Sequence, residues 1–510
     1  MTTTSTTPAG ATPAADADPT APRYAETLAA FWPDGRPRNF VGGRWTDAAA
    51  RAVTHDPSTG TPYTDVPETS RAEVDEAVAV ALAAQPAWAA RTVSDRAAVL
   101  GALRAALAEH GEALARLEAI DSGNPMPSTR RDVGLALRYL QEWPGIALAQ
   151  AGRVTRPHAD GISIVTSEPY GVVGKIIAYN HPSLFALAGL VFPLLAGNTI
   201  VIKAAAQTPV ATLALGALLQ DTVPPGVVNI VSGGVEAGDA LVVHPRVKRI
   251  AFTGSDRTAV AIQSRLSESG TVKHFSAELG GKNPFVICAD ADLDEAAAAA
   301  FAGLSFTVSA GQSCQATARI LVHESVHDAV VERMAARMDA LRLGAAYDET
   351  TEMGPLVSAA QRDRVLDHVR SAVDEGARLV TGGHVVDRPG YFVEPTLFTD
   401  TTAAMRIGRE EVFGPVAITQ RFRDEAEAIA LANEGALGLS AAVWTNDLDR
   451  ALRLGSAIRA GYVWVNDANR HYPGSPFGGA GGSGVGREES VEEYRSYSES
   501  KALNIRVRPA

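Results

Sequence analysis

The runs IVT (164–166), VVGKIIAYN (172–180), TIVIKA (199–204), VVNIVSG (227–233), RIAFTGS (249–255) and HFSAEL (274–279) are short and rich in β-branched and aromatic residues. From the second run onward, a longer stretch of helical character separates each from the next. Strand, helix, strand at this spacing is the one-dimensional form of a mostly parallel, doubly wound sheet. A second block of the same kind opens at Phe285, in PFVICADAD (284–292), and runs to about residue 480. It holds RILVHES (319–325), a helix from 326, and AAVWTND (441–447) with another helix behind it. The run KALNIRV (501–507) has strand character. No internal repeat is visible. The reading is an α/β chain of two doubly wound domains, with the boundary near Gly280 and Gly281.

Upstream, apolar residues recur every three or four positions in 71–91 and 94–119, with charges on the opposite face, which predicts two amphipathic helices. Ser94 reads as the N-cap of the second, and Asp95 in its first turn suits the helix dipole. A third helix is expected over 128–143. Residues 1–24 are Thr, Ala, Pro and Asp with little to bury, and are expected to form a disordered tail.

At 510 residues the length is a prior for about three structural units, enough for large cores without disulfide staples. Hydrophobic residues make up 46% and charged residues 20%, which excludes a mostly disordered, collagen-like or coiled-coil chain. The net charge of −12 argues against nucleic acid or an anionic membrane as the main partner. There are two cysteines, Cys288 and Cys314, with no Cys-x-x-Cys pair, and the sparse histidines show no metal-ligand spacing. No basic n-region precedes an apolar run, and no uninterrupted apolar stretch reaches 18 residues. The expectation is a soluble protein of a reducing, cytoplasmic compartment, with no metal.

Several residues stand where chemistry is done. Cys314, in SAGQSCQATAR (309–319), is set among small and polar residues, whereas Cys288, in FVICAD, has the apolar setting of a packed thiol. Spacing alone leaves Cys314 divided between turn residue and nucleophile, and a nucleophile would need help to form the thiolate. Glu278 ends an apolar strand before two glycines. It is either a solvated strand end or a general base at the pocket that forms where a doubly wound sheet's strands end. Asn180 also ends a strand, with Pro182 opening a helix behind it. It is either a turn residue or a donor to a developing oxyanion. Gly254 and Ser255 form a turn between strand and helix whose backbone could hold phosphate, although the stretch is not a GxGxxG fingerprint. Lys203 closes TIVIK and is either a surface lysine or a ribose or phosphate contact.

The motifs YNHP, IKAAAQTP, FTGS, ELGGKNP, GQSCQATAR, EEVFGPV, GYVWVN, SPFGG and SGVGRE occur in this order between residues 179 and 488, within a resemblance that spans about residues 36 to 507. Together they closely resemble the NAD(P)-dependent aldehyde dehydrogenase superfamily. The resemblance implies a dinucleotide-binding domain (25–149 and 171–281), a catalytic domain (282–490) and a β oligomerisation arm (150–170 and 491–510). It implies oxidation of a small-molecule aldehyde to an acid with NAD or NADP, by a homodimer or homotetramer. Cys314 would be the nucleophile, passing through a thiohemiacetal and a thioester. Asn180 and the Cys314 backbone N–H would hold the oxyanion, and Glu278 would activate the hydrolytic water. Lys203, Ser255 and Gly254 would meet the adenosine and pyrophosphate; Glu411, Phe413 and Tyr179 would lie toward the nicotinamide.

Departures from the pattern matter. Ala206 stands where NAD-favouring members often carry a Glu that holds the ribose hydroxyls and repels a 2′-phosphate, so better tolerance of NADP is expected. Ala259 replaces a frequent Gly, and Ala480-Gly481 a frequent Tyr-Lys pair. The tunnel residues of similar enzymes correspond here to His181, Phe185, Ala188, Asp467, Arg470, His471 and Phe477. The histidines and Ala188 point to a more polar or roomier tunnel. Arg470 either pairs with a substrate carboxylate or faces solvent or Asp467. Competing readings are a coenzyme A-acylating relative, a silent binding member and a cofactor-free thiol hydrolase. Glu278 favours water over coenzyme A, the intact Cys314–Glu278–Asn180 set opposes silence, and a thiol hydrolase leaves the lysine and FTGS motifs unexplained.

Overall fold

The computed structural model describes residues 22–507. The expected tail at 1–24 therefore lies outside the described residues except at its end, and there the expectation is corrected. Pro22–Ala29 is helical, with Tyr24 buried at 2% exposure and its hydroxyl donating to Asp56 Oδ2 at 2.8 Å. The aromatic ring has a core to enter, so order begins before residue 25.

The first sheet has eight strands. Its five parallel members lie in the spatial order Val228–Val231, Thr199–Lys203, Val172–Ile176, Val247–Thr253, His274–Glu278. The chain thus starts in the middle, winds one way, and returns to wind the other. The reversal between Val172–Ile176 and Val247–Thr253 leaves a crevice at the strands' carboxyl ends, where ligands of such sheets bind. Every residue of Thr199–Lys203 and Val228–Val231 is buried, as strands covered on both faces by helices must be. Three short strands extend the sheet antiparallel. Arg44–Thr46 pairs with Asn39–Val41, which pairs with Val228–Val231, and Gly484–Val485 pairs with His274–Glu278. These, and the hairpin Ala50–Asp56/Thr61–Glu68, have no counterpart in the sequence-based reading.

The second sheet runs Arg378–Thr381, Thr396–Thr399, Val416–Phe422, Arg319–His323, Pro284–Ile287, Ser440–Trp444, Tyr462–Val465, parallel except at its first pair. The chain passes from one sheet to the other through Leu279–Asn283, at the glycines named above. The run IVT belongs to neither sheet. It lies in Gly161–Pro169, the centre of a three-stranded antiparallel sheet with Arg153–His158 and Ser498–Arg506.

The three upstream helices are Arg71–Ala89, Val93–Ser122 and Met126–Leu148. Ser94 is not the cap. Thr92 caps the second helix, its side chain accepting from Asp95 N while the Asp95 carboxylate accepts from Thr92 N. This reciprocal box satisfies two end groups at once, which a cap at Ser94 would not. The helix stops at Gly123, whose φ of 81° is left-handed. No helix among the described residues is long and apolar enough to cross a membrane.

Candidate active site

Asn180 follows the central strand Val172–Ile176, one residue before the cap of helix Pro182–Leu195. It is 4% exposed. Its Nδ2 donates to the Gln312 carbonyl at 2.9 Å, and its own carbonyl accepts from Asn124 Nδ2 at 2.7 Å. The amide is thus fixed in place, with a second N–H left to offer.

Cys314 lies in the loop between helix Phe306–Ser309 and strand Arg319–His323. Asn283, from the crossing between the sheets, holds this loop. Its Nδ2 donates to the carbonyls of Cys314 at 2.7 Å and Ala316 at 3.0 Å, while its Oδ1 accepts from Ser440 N at 3.0 Å. Gln312 braces the other side, accepting from Val357 N at 3.1 Å. Gly311 has a φ of 73°, and a Cβ there would stand 2.2 Å from the Gly414 carbonyl, so only glycine lets the two loops meet. Burial pushes the Cys314 thiol up, and the nearby Glu411 and Glu278 push it further. Cys288, by contrast, is packed at 3% exposure and lifted to about 11 by burial.

Glu278 is 6% exposed, and burial, with Glu488 beside it, holds its carboxyl well above the usual range. Its Oε2 has no hydrogen-bond partner among the described residues. A Cβ on Gly478 would come within 2.7 Å of its Oε1, so that glycine admits the carboxylate.

A cavity of about 360 Å³ brings Asn180 and Cys314 together with His181, Phe185, Ala188, Arg470, His471 and Phe477. Glu278 is not part of its lining, nor is Asp467, whose carboxylate takes the Tyr472 hydroxyl at 2.6 Å. The cavity's two histidines are tied. His181 Nδ1 lies 2.6 Å from Asp132 Oδ2. His471 bridges Glu489 Oε2 at 2.8 Å and Gln315 Oε1 at 2.5 Å, its ring 4.8 Å from that of Phe477. Arg470 is exposed, with its guanidinium 5.2 Å over the Tyr472 ring and no ion pair to Asp467.

A second, much smaller hollow touches the same loop, and Ser313 lines both. Here Glu411 accepts from Gly281 N at 3.0 Å, pushed up to about 7 by burial. A Cβ on Gly280 would strike the Glu411 carboxylate at 2.0 Å, so this crossing residue must be bare. Phe413, at a φ of 55°, meets the Tyr179 ring edge-on at 5.7 Å. Lys203 is buried at the end of its strand, drawn down to about 8 by desolvation with Glu68 opposing, and donates to no side chain or carbonyl among the described residues. Ser255 caps helix Asp256–Glu268 directly after Gly254. A buried free ammonium, a helix N-terminus and a carboxylate on backbone N–H, arranged around a topological switch point, fit a dinucleotide. Among the described residues no group of His, Cys, Asp and Glu could hold a metal ion.

The sequence-based reading gave no role to Asn283, Gln312, Asp132, Gln315 or Glu489. Asn283 stands in a quoted motif, but its partners are remote in sequence. Asp132 lies on a helix whose polar positions read as surface.

The family model described as the aldehyde dehydrogenase family matches residues 45–503. The chain is 39% identical over 483 residues to aldehyde dehydrogenase tropH of Talaromyces stipitatus, covering 92% of this chain and 93% of that protein. It is 38% identical to acetaldehyde dehydrogenase 2 of Cupriavidus necator, covering 92% and 95%. The NAD+ complex of an aldehyde dehydrogenase from Bacillus cereus superposes with a TM-score of 0.91 at 36% identity, over 94% of this chain and 98% of that one.

Proposed function

Because the chain belongs to the aldehyde dehydrogenase family and oxidises an aldehyde to a carboxylic acid with NAD(P)+, we propose that Cys314 is the nucleophile, Asn180 the oxyanion donor and Glu278 the hydrolytic base. The observation that carries this is the cavity lined by both Cys314 and Asn180. Once the Cys314 thiol has given up its proton to solvent, the thiolate adds to the carbonyl carbon, and the oxygen becomes an alkoxide. The second N–H of Asn180 and the Cys314 backbone N–H receive that charge. One such preorganised donor is worth about 10²–10³ in rate. When bound, the oxidised nicotinamide supplies the acceptor for the hydride that the collapsing alkoxide expels. An acyl thioester then remains on Cys314. Glu278 takes a proton from water, whose oxygen attacks the acyl carbon and releases the thiolate. Burial raises its carboxyl above the usual range, which favours its taking up that proton.

Lys203 and Ser255 would hold the adenosine and pyrophosphate, with Gly254 allowing the close approach. Glu411 would hold the nicotinamide ribose, and Tyr179 and Phe413 would pack beside the ring. On this reading the first sheet with its helices is the dinucleotide-binding domain, the second the catalytic domain. The antiparallel sheet of Arg153–His158, Gly161–Pro169 and Ser498–Arg506 is an oligomerisation arm of a homodimer or homotetramer. Two free cysteines, one of them the nucleophile, suit a reducing cytoplasm.

The test is reduced-nicotinamide formation across aliphatic, aromatic and carboxylate-bearing aldehydes, with NAD and NADP in parallel. Cys314→Ala is expected to abolish turnover while NAD binding, read by calorimetry, persists. Turnover that survives the substitution would remove Cys314 from the mechanism.

A further inference from the structure

The charged groups around the cavity can be matched one against another. Asp132 is spent on His181 at 2.6 Å. Glu489 is spent on His471 at 2.8 Å, with the Tyr139 hydroxyl also donating to it at 3.4 Å. Glu488 lies 3.4 Å from Lys175, and Arg138 is paired with Glu142 at 3.1 Å. Glu493 accepts from Glu489 N at 2.7 Å, and burial, with Glu488 beside it, pushes its carboxyl up. Two cations are left over. Arg131 and Arg470 both line the cavity, and neither has a carboxylate within ion-pair distance among the described residues. Both are exposed, whereas Asn180 is buried and Cys314 half-buried. The reacting end is therefore the floor and the two guanidinium groups belong to the mouth. Phe185 and Phe477 add apolar surface to the same lining.

We propose that the cavity takes an aldehyde carrying a carboxylate at the end remote from its carbonyl, and that Arg131 and Arg470 hold that carboxylate. The proposal rests on reading the cavity as the aldehyde site. A guanidinium presents paired N–H donors that match a carboxylate's two oxygens, and neither arginine has an ion pair to break on meeting one. The carboxyl groups already present each have a close partner of their own: His181 for Asp132, His471 for Glu489, Lys175 for Glu488 and the Glu489 backbone N–H for Glu493. The apolar surface accommodates an aliphatic or aromatic spacer.

The experiment compares kcat/KM for 5-oxopentanoate against pentanal, and for 4-carboxybenzaldehyde against 4-methylbenzaldehyde. The protein is the full chain, as wild type, Arg131→Ala, Arg470→Ala, the double variant and each Arg→Lys. Glutarate and pentanoate binding to the same proteins is read by calorimetry. In the wild type both acid-to-neutral ratios are expected to exceed one and to fall with added salt. Each single alanine should lower the ratio by about three- to tenfold, and the double by about tenfold or more, with lysine restoring part. Damage to the fold would lower both members of a pair together and leave the ratio unchanged. Ratios at or below one in the wild type, or unchanged in the double variant, overturn the proposal. Should no aldehyde be oxidised, the aldehyde-site reading fails by itself and the glutarate titration decides this one. Binding that the double variant loses supports the subsite, and equal or absent binding in both proteins overturns it.

Discussion

Glu278 has one carboxylate oxygen, Oε2, that meets no donor among the described residues, and its carboxyl is held well above the usual range by burial and by Glu488. That has a consequence for stability with a fixed sign. Between the ordinary carboxyl pKa of about 4.3 and the raised native value, the folded chain keeps this proton while the unfolded chain has released it. The native state's advantage from Glu278 is therefore largest in acid and shrinks as pH rises through that window. Glu278→Gln has no proton to lose. Its melting temperature relative to the wild type should climb with pH above about 4.5, at most by about 1.4 kcal/mol of stability per pH unit. Thermal melts of both proteins between pH 4.5 and 8 check this, and a difference that stays flat would mean that the carboxyl ionises normally. At this scale a residue's own neighbours narrow its role without deciding it: small polar residues around Cys314, and a strand followed by a helix around Asn180, leave turn and chemistry both open. The sequence is silent where a role depends on a remote partner. Nothing next to Asp132 says that it will meet His181, and nothing next to Asn283 says that it will carry the Cys314 loop.

The strand Ser498–Arg506 pairs along its whole length with Gly161–Pro169, from Ser498↔Pro169 to Arg506↔Gly161, yet nearly all of its residues are exposed. Leu503, Ile505 and Val507 present side chains that are 56%, 40% and 40% exposed, with Val154 at 68% on the third strand of the same sheet. An open edge bearing apolar residues invites another chain. If the arm joins protomers, light scattering will find the full chain as a dimer or tetramer, and removal of residues 498–510 will shift it to a smaller species. An unchanged mass after truncation would assign assembly to another surface. The elements themselves divide by the strength of their pattern. Buried parallel strands such as Thr199–Lys203 are continuous apolar runs, and they stand where periodicity puts them. The strands Asn39–Val41, Arg44–Thr46 and Gly484–Val485 are two or three residues long and carry no period, so only the edge of an already formed sheet defines them. The cap at Thr92 was hidden for a related reason. A neighbouring Ser is as good a cap by type, and only the position of Asp95 three residues on separates them.

In the whole molecule, two doubly wound sheets joined by Leu279–Asn283 bring loops from distant parts of the chain to one place. Alternating strands and helices predict the two sheets, and ordered motifs predict which residues gather. The alternation alone does not say that the Cys314 loop is reached by two hollows sharing Ser313, one beside Glu411 and one beside Asn180. On the proposed reading the larger hollow takes the aldehyde, and Glu411 beside the smaller one would hold the nicotinamide ribose. The central claim is that the oxidised substrate is held on Cys314 until Glu278 releases it. Its most direct test is mass spectrometry of the Glu278→Gln protein after mixing with NAD+ and a turned-over aldehyde. The account predicts an acyl adduct on the peptide containing Cys314, formed with one equivalent of reduced nicotinamide and decaying slowly. Reduced nicotinamide without any adduct at Cys314, or an adduct on Cys288 instead, would contradict it.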